Sequence, residues 1–344
     1  MRTLTYAQAI SEALVIGMRQ NPKVFITGIG VDYPAGVFGT TKEALDEFGS
    51  SRVFDSPSME NALTGICIGA SAMGMRPVIV HHRNDFMFLA FDQMINLAAK
   101  WRYMYGGNAG QVPIVVRGII GRGWGQGATH SQSLQSPIAH FPGITVVMPA
   151  MPADAKGLIL SALKSPSPVV ILEHRSLFDI VGEVPEGESE TPIGKAKVLR
   201  VGSDISVVCT SYMVIEAMRA AEFLLRFGIS VEVIDLRSIR PLDEETIINS
   251  VIKTGKLVVA DTSWVQYGVA SEIAGLVAEK AFSYLKAPVV RIGLPDSPAP
   301  SSKILEDAFY PSANSLQQAI AKLLGRGDIT ATLDPEIDNF MGPY

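Results

Sequence analysis

The first half of the chain alternates segments that have helical spacing of apolar residues with short, continuously apolar segments. Helical spacing occurs in "TYAQAISEALVIGMRQNP", where Thr5 is the predicted N-cap and Pro22 the stop, and in "TKEALDEFG", which ends on Gly49. The apolar segments include "KVFITG", "RPVIVHH", "VPIVVRG" and "PVVILEH". Apolar strands that alternate with helices are typical of a parallel sheet covered on both faces, so the pattern predicts an α/β fold.

The pattern fails at "VGEVPEGESETPIG", which is rich in Pro, Gly and Glu, and this stretch is the predicted linker. A second α/β series follows, from the strand "ISVVCTS" to the closing helix "SANSLQQAIAKLLG". We therefore predict a first domain over 1–182, a linker over 183–198, a second domain over 199–326 and an irregular tail over 327–344.

Composition narrows the class of protein. The 344 residues are 47% hydrophobic and 18% charged, which suits two folded domains, and the net charge of -5 gives no reason to expect nucleic-acid binding. Cys67 and Cys209 stand far apart among apolar residues, which argues against a structural zinc, an iron–sulfur cluster or a disulfide framework. We see no signal peptide and no membrane-spanning run, and expect a soluble, cytoplasmic protein.

The segment "FDSPSMENALTGICIGASAMGM", residues 54–75, predicts a Gly-rich apolar helix with one acid, Glu60, in its first turn. The simple explanation is that a first-turn carboxylate is favoured by the helix dipole, by about 0.3–1 kcal/mol. Taken alone, we favour this explanation over a functional role.

Three further segments carry candidate chemistry. "RGIIGRGWGQGATHSQS" presents His130 from a Gly-rich loop, although it matches no phosphate-loop pattern. "VIVHHRNDF" places His81, His82 and Arg83 just past the C-terminal end of a buried strand, where ligands bind in parallel sheets. Each of these residues has an ordinary alternative, because loop histidines and strand ends are commonly just solvated. Phe86 begins an aromatic stripe that is more typical of a core.

The order of these segments resembles, over nearly the full length, the β subunit of the thiamine-diphosphate-dependent first component of 2-oxo acid dehydrogenase complexes. The pyruvate, branched-chain and acetoin types share this pattern and a transketolase-like fold. The matching segments include "GVFGTT", "RVFDSPSMENALTGICIGASAMGMRP", "AFDQMINLAAKWRYMYGG", "GATHSQS", "HFPGITVVMPAMPADAKGLI", "VEVIDLRSIRPLDEETI" and "GVASEI".

The resemblance implies a pyrimidine-binding domain followed by a transketolase C-terminal domain. The family's G-D-G…N motif, which holds the diphosphate and Mg²⁺, is missing from this sequence. A separate α subunit is therefore expected to hold Mg²⁺ and the diphosphate in an α₂β₂ heterotetramer, with this chain holding no metal, and a lipoyl acyltransferase is a further expected partner.

The resemblance also assigns roles to five residues. Glu60 aligns with the family glutamate that shares a proton with the pyrimidine ring nitrogen. Phe86 falls where an aromatic ring packs against the pyrimidine, and Ser58 where the backbone contacts it. His130 falls at the loop histidine that faces the reacting carbon as an acid/base or anion-stabilising group. His82 falls at a pocket position that is commonly Gln in bacterial members.

The sequence departs from the family at four places. Ile29 and Val80 stand where the family usually has glutamates of a polar channel between active sites, which puts that channel in doubt. "HHR" is more cationic than usual, so we predict a substrate or acceptor more anionic than pyruvate and lipoyl. The residues around "LKSPSP" differ from the family's potassium site, so that ion is not predicted.

Two alternatives stay open. A carboligase or half of a split transketolase would keep the cofactor and pass the unit to an aldehyde instead of a lipoyl group. A non-catalytic scaffold would keep only the fold, against which the presence of Glu60, Phe86 and His130 argues.

Overall fold

The computed structural model describes residues 2–122 and 125–333. These residues form two compact units, one made of 2–122 and 132–193, the other of 125–131 and 194–333. The domain and linker boundaries given by composition stay predictions, and residues 334–344 of the predicted tail lie outside the described residues.

The first unit is built around a parallel sheet. Its strands are β1 (Arg2–Thr5), β2 (Val24–Gly28), β3 (Val53–Asp55), β4 (Arg76–His81), β5 (Val115–Ile120), β6 (Thr145–Val147), β7 (Val169–His174) and β8 (Val181–Val184). Its helices are α1 (Tyr6–Gln20), α2 (Lys42–Phe48), α3 (Glu60–Ala72), α4 (Asn84–Met87), α5 (Trp101–Met104), α6 (Gln135–His140) and α7 (Pro152–Lys164). The strand order within this unit is β6-β7-β5-β4-β2-β3, all parallel, while β1 and β8 form a separate antiparallel pair. The predicted α/β class is confirmed.

The second unit has its own mainly parallel sheet. Its strands are β9 (Lys197–Arg200), β10 (Ile205–Cys209), β11 (Val231–Asp235), β12 (Ser238–Arg240), β13 (Leu257–Trp264) and β14 (Val290–Leu294). Its helices are α8 (Tyr212–Leu225), α9 (Glu244–Thr254), α10 (Val269–Lys280), α11 (Lys303–Phe309) and α12 (Ala313–Leu323). The sheet order is β14-β13-β10-β11-β9, in which only the edge strand β9 is antiparallel.

Local sequence signals set several element ends. Thr5 caps α1 through a reciprocal pair of hydrogen bonds with Gln8, as its position before the apolar pattern predicts. Gly49, at a φ of 70°, ends α2. At the end of β2, a Cβ atom on Gly28 would lie 2.2 Å from the carbonyl oxygen of Val80, so only glycine lets β2 and β4 approach there.

The segment after β4 is helical over most of its length, but the helix type is not uniform. After α4 it continues as a 3₁₀ turn over Phe88–Ala90 and a π-helix over Asp92–Ala98 before α5. The wide turn packs Gln93 against α3 at Gly65, where an added Cβ would lie 3.1 Å from Gln93 Oε1, and the Gln93 amide donates to Asn61 Oδ1 at 3.1 Å. The change of helix type therefore accompanies tight packing against α3, and π-turns of this kind frequently occur near functional sites.

Candidate active site

The N-terminal half of α3 contacts the carboxyl end of β4 through a buried pair of side chains. Thr64 Oγ1 and His81 Nε2 lie 3.2 Å apart, and both side chains are buried. Thr64 lies one helical turn after Glu60, on the same face of α3. Glu60 is therefore held at the edge of the sheet where ligands bind in parallel α/β folds.

Glu60 is the first residue of α3 and its side chain is only 8% exposed. No described residue forms a hydrogen bond or an ion pair with its carboxyl group, and the N-cap residue, Met59, makes no side-chain capping bond. A carboxyl group on a largely buried residue that has no protein partner can take a hydrogen-bond partner from a ligand. A ring nitrogen that shares a proton with this carboxyl group would fit, so the site suits the pyrimidine expected from the resemblance.

The "HHR" run carries less positive charge than its sequence indicates. Burial lowers the pKa of His81 to about 4, and burial together with the nearby Arg83 charge lowers that of His82 to about 4. Only the Arg83 guanidinium is therefore charged at neutral pH. Burial raises the pKa of the nearby Asp85 carboxyl group. Hydrogen bonds from Gln132 and the positive charge of Arg83 oppose part of that rise. The prediction of a more anionic substrate now depends on Arg83 alone.

His82 is held between a glycine turn and an aromatic ring. Its ring packs edge-on against Phe38, with centroids 5.7 Å apart, and a Cβ on Gly30 would lie 3.8 Å from His82 Nδ1. Phe38 has a φ of 59° and stacks on Phe178 at 4.8 Å, so its ring is itself fixed. His82 Nε2 is buried and has no hydrogen-bond partner in the described part of the chain, which is uncommon for a buried polar atom.

The other predicted site residues divide between the two units. Ser58 is exposed, two residues before α3, and Phe86 is half-buried in α4, directly after β4. Ser58, Glu60, His82 and Phe86 thus belong to one unit and to segments that meet at one sheet edge. His130 belongs to the second unit, where the Thr129 hydroxyl and His130 Nδ1 lie 2.9 Å apart. The roles assigned to all five residues stay predictions.

The two positions at which the sequence lacks the family's acids are neighbours in space. Gly28 of β2 is in register with Val80 of β4, and Ile29 follows Gly28 directly. Val80 is buried and Ile29 half-buried, so apolar side chains occupy this stretch of both strands.

A buried ion pair joins β5, the strand next to β4, to β7, and the sequence analysis did not predict it. Arg117 of β5 donates to both carboxylate oxygens of Glu173 of β7, from Nε at 2.6 Å and from Nη2 at 2.8 Å, and Nη2 also donates to Thr40 Oγ1 at 3.0 Å. Arg117 and Glu173 are each 1% exposed. The available signal was an opposite charge in each of two otherwise apolar strands, "VVRGII" and "VVILEH".

The described residues contain no group of three or more His, Cys, Asp and Glu side chains arranged to hold a metal ion. Cys67 and Cys209 are both buried free thiols, and burial raises the pKa of each, that of Cys67 to about 12.

No helix in residues 2–122 and 125–333 has the length and apolar character to cross a membrane.

The lowered pKa of His81 predicts a loss of stability in mild acid. In the unfolded chain His81 titrates near about 6.5, whereas in the folded protein its pKa is about 4. The unfolded state therefore binds more protons as pH falls from 6.5 to 4, and one such histidine removes up to about 1.4 kcal/mol per pH unit. Urea unfolding of wild type and His81→Gln at pH 7, 6 and 5 measures this slope. We expect the free energy of unfolding to fall less steeply with decreasing pH in the variant than in wild type. Equal slopes would contradict the lowered pKa of His81.

Comparison with known proteins places the chain in a family. The model of the transketolase pyrimidine-binding domain matches residues 2–180, and that of the transketolase C-terminal domain matches residues 194–316. In solved structures, a split-gene transketolase described as an inactive β4 tetramer superimposes with a TM-score of 0.75 over 94% of this chain and 98% of its own, at 23% identity, which supports the fold.

Curated relatives narrow the family further. The β subunit of the acetoin:2,6-dichlorophenolindophenol oxidoreductase of Cupriavidus necator is 40% identical over 336 residues, covering 95% of this chain and 99% of the relative. A mitochondrial β subunit of the pyruvate dehydrogenase E1 component from Oryza sativa subsp. japonica is 42% identical over 322 residues, covering 92% and 85%. The resemblance found in the sequence is confirmed, and this chain belongs to the oxidoreductase family of 2-oxo acid dehydrogenase E1 β subunits, of the pyruvate and acetoin type, within the transketolase-like proteins.

Proposed function

We propose that this chain acts on a 2-oxo acid as one half of a decarboxylating enzyme that passes the acyl unit to a lipoyl acceptor. The observation that carries the proposal is Glu60, a residue only 8% exposed whose carboxyl group has no partner among the described residues at the ligand-binding edge of the sheet. The dipole explanation accounts for an acid in the first turn of α3, but not for burial without a partner.

Membership of this family implies thiamine diphosphate as the cofactor and an α subunit as the partner. The location of the diphosphate and Mg²⁺ site, the stoichiometry of the assembly and the acyl acceptor are part of the proposal. The α subunit holds the diphosphate and Mg²⁺, since this sequence has no G-D-G…N motif, and the assembly is α₂β₂ with a lipoyl acyltransferase as acceptor. When bound, thiamine diphosphate supplies a nucleophilic ring carbon and an electron sink for decarboxylation.

The residues of this chain have separate tasks in this scheme. Glu60 would hold the proton that is shared with the pyrimidine ring nitrogen. The Phe86 ring would pack against the pyrimidine, and the backbone at Ser58 would contact it. His82, neutral at physiological pH, offers Nε2 as a hydrogen-bonding atom to the bound ligand, and His130 acts as an acid/base or anion-stabilising group.

A reconstituted complex tests the proposal. We expect this chain, co-expressed with its α subunit, to bind thiamine diphosphate and to release CO₂ from one or more members of a panel of 2-oxo acids. The panel contains neutral and acidic side chains, because Arg83 predicts a preference for the acidic ones. The product is then followed with a lipoyl domain and with an aldehyde as acceptors.

The outcomes separate the alternatives. Acyl transfer to the lipoyl domain supports the proposal. Transfer to the aldehyde alone identifies a carboligase, and a complex that binds no cofactor and decarboxylates no substrate is a scaffold. The α subunit alone is the control for background decarboxylation.

A further inference from the structure

The segment that carries His130 lies closely against the turn before α11. Gly125 and Gly127 have φ angles of 72° and 69°. A Cβ atom on Gly125 would lie 2.7 Å from the Ser301 carbonyl oxygen, and one on Gly127 would lie 2.3 Å from Ser301 Oγ. Glycine at both positions therefore lets the loop backbone lie in contact with residue 301.

A buried acid on α11 holds the start of this segment. The Gly125 backbone N–H donates to Glu306 Oε1 at 3.2 Å, and Glu306 is 3% exposed. Among the described residues this amide is the only hydrogen-bond donor to the Glu306 carboxylate. This buried hydrogen bond ties the loop backbone at Gly125 to α11.

Two contacts within the same segment connect His130 to the glycines that lie against residue 301. The His130 backbone N–H donates to the Gly127 carbonyl oxygen at 3.3 Å, and the Thr129 hydroxyl contacts His130 Nδ1. The histidine is thus tied to Gly127, which lies two residues after the backbone amide that Glu306 holds. All of these contacts lie within the second unit.

We propose that Glu306 is a positioning residue that holds the 125–130 segment so that His130 is correctly placed for proton transfer. This inference rests on the acid/base role proposed for His130. Misplacement of an acid/base group by about 1 Å can cost about a hundredfold in rate, so one buried carboxylate outside the chemistry can control turnover.

The test uses the assembled complex. Glu306→Ala is expected to lower kcat by about ten- to a hundredfold and to speed amide exchange in residues 125–130 by about tenfold. Thiamine diphosphate affinity and the melting temperature should change little. Glu306→Gln keeps an oxygen acceptor for the Gly125 amide and should recover most of the activity. Asp307→Asn, on the same helix and exposed, is the matched control and should behave as wild type.

A double variant decides whether Glu306 acts through His130. Combining Glu306→Ala with His130→Gln should lower kcat no further than His130→Gln alone, because the histidine would already be lost. Additive losses, or unchanged loop exchange in Glu306→Ala, would overturn the positioning role. If His130→Gln keeps full activity, the role proposed for His130 fails instead, and the inference fails with it.

Discussion

In the assembled complex, Glu60→Gln is expected to lower the rate of decarboxylation by about 10²- to 10⁴-fold, the usual loss when a positioned acid/base group is removed. Glutamine has nearly the same shape and can still accept a hydrogen bond, but it cannot give and take a proton. Glu60 is only 8% exposed and no described residue places a second acid in contact with it, so no neighbouring side chain is positioned to replace it. The measurement is the single-turnover rate of CO₂ release with saturating thiamine diphosphate.

A matched control separates this role from the helix-dipole explanation. Glu272 is an exposed acid in the first turn of the 12-residue helix α10, so Glu272→Gln removes the same charge from the same kind of position. If Glu60 served only the dipole, both variants would lose at most about 1 kcal/mol of stability and keep their rates. Full decarboxylation by Glu60→Gln would therefore refute the central mechanistic proposal.

Much of the framework around Glu60 could be predicted because it depends on local signals. The apolar runs that became β4, β5 and β7 are continuous, as expected for parallel strands buried on both faces, and Thr5 and Gly49 mark helix ends through capping chemistry. The position of Glu60 at the start of α3 also followed from its sequence context.

The remainder of the site depends on contacts between segments that are distant in sequence. Nothing in "NALTGIC" alone indicates that Thr64 would contact His81, and the charges of the two histidines follow from burial in the folded unit. A count of basic residues therefore overestimated the positive charge of "HHR". The π-helix after residue 91 was missed because its cause, the packing of Gln93 at Gly65, is tertiary.

The second large effect is expected at the ion pair between Arg117 and Glu173. Glu173→Gln should lower the free energy of unfolding by about 3–5 kcal/mol, because it leaves a fully buried guanidinium without a counter-charge. The neighbours offer little compensation. Arg117 Nη1 already has no hydrogen-bond partner in the described part of the chain, and the β4 residue in register with Arg117 is Val80. The change is read from urea unfolding of the complex at one fixed protein concentration, since assembly itself adds to stability.

Removing both charges together distinguishes desolvation from a favourable ionic bond. If the loss in Glu173→Gln comes from an uncompensated buried charge, the double variant Arg117→Met with Glu173→Leu should be more stable than the single one, since neither side chain then needs a partner. If the pair itself supplied the stability, the double variant would be at least as unstable as the single. We expect the first result, because both groups are 1% exposed and removing them from water costs nearly as much as their attraction returns. Arg19 and Glu47 provide the control, an exposed pair in the same unit whose Glu47→Gln variant should lose no more than about 1 kcal/mol.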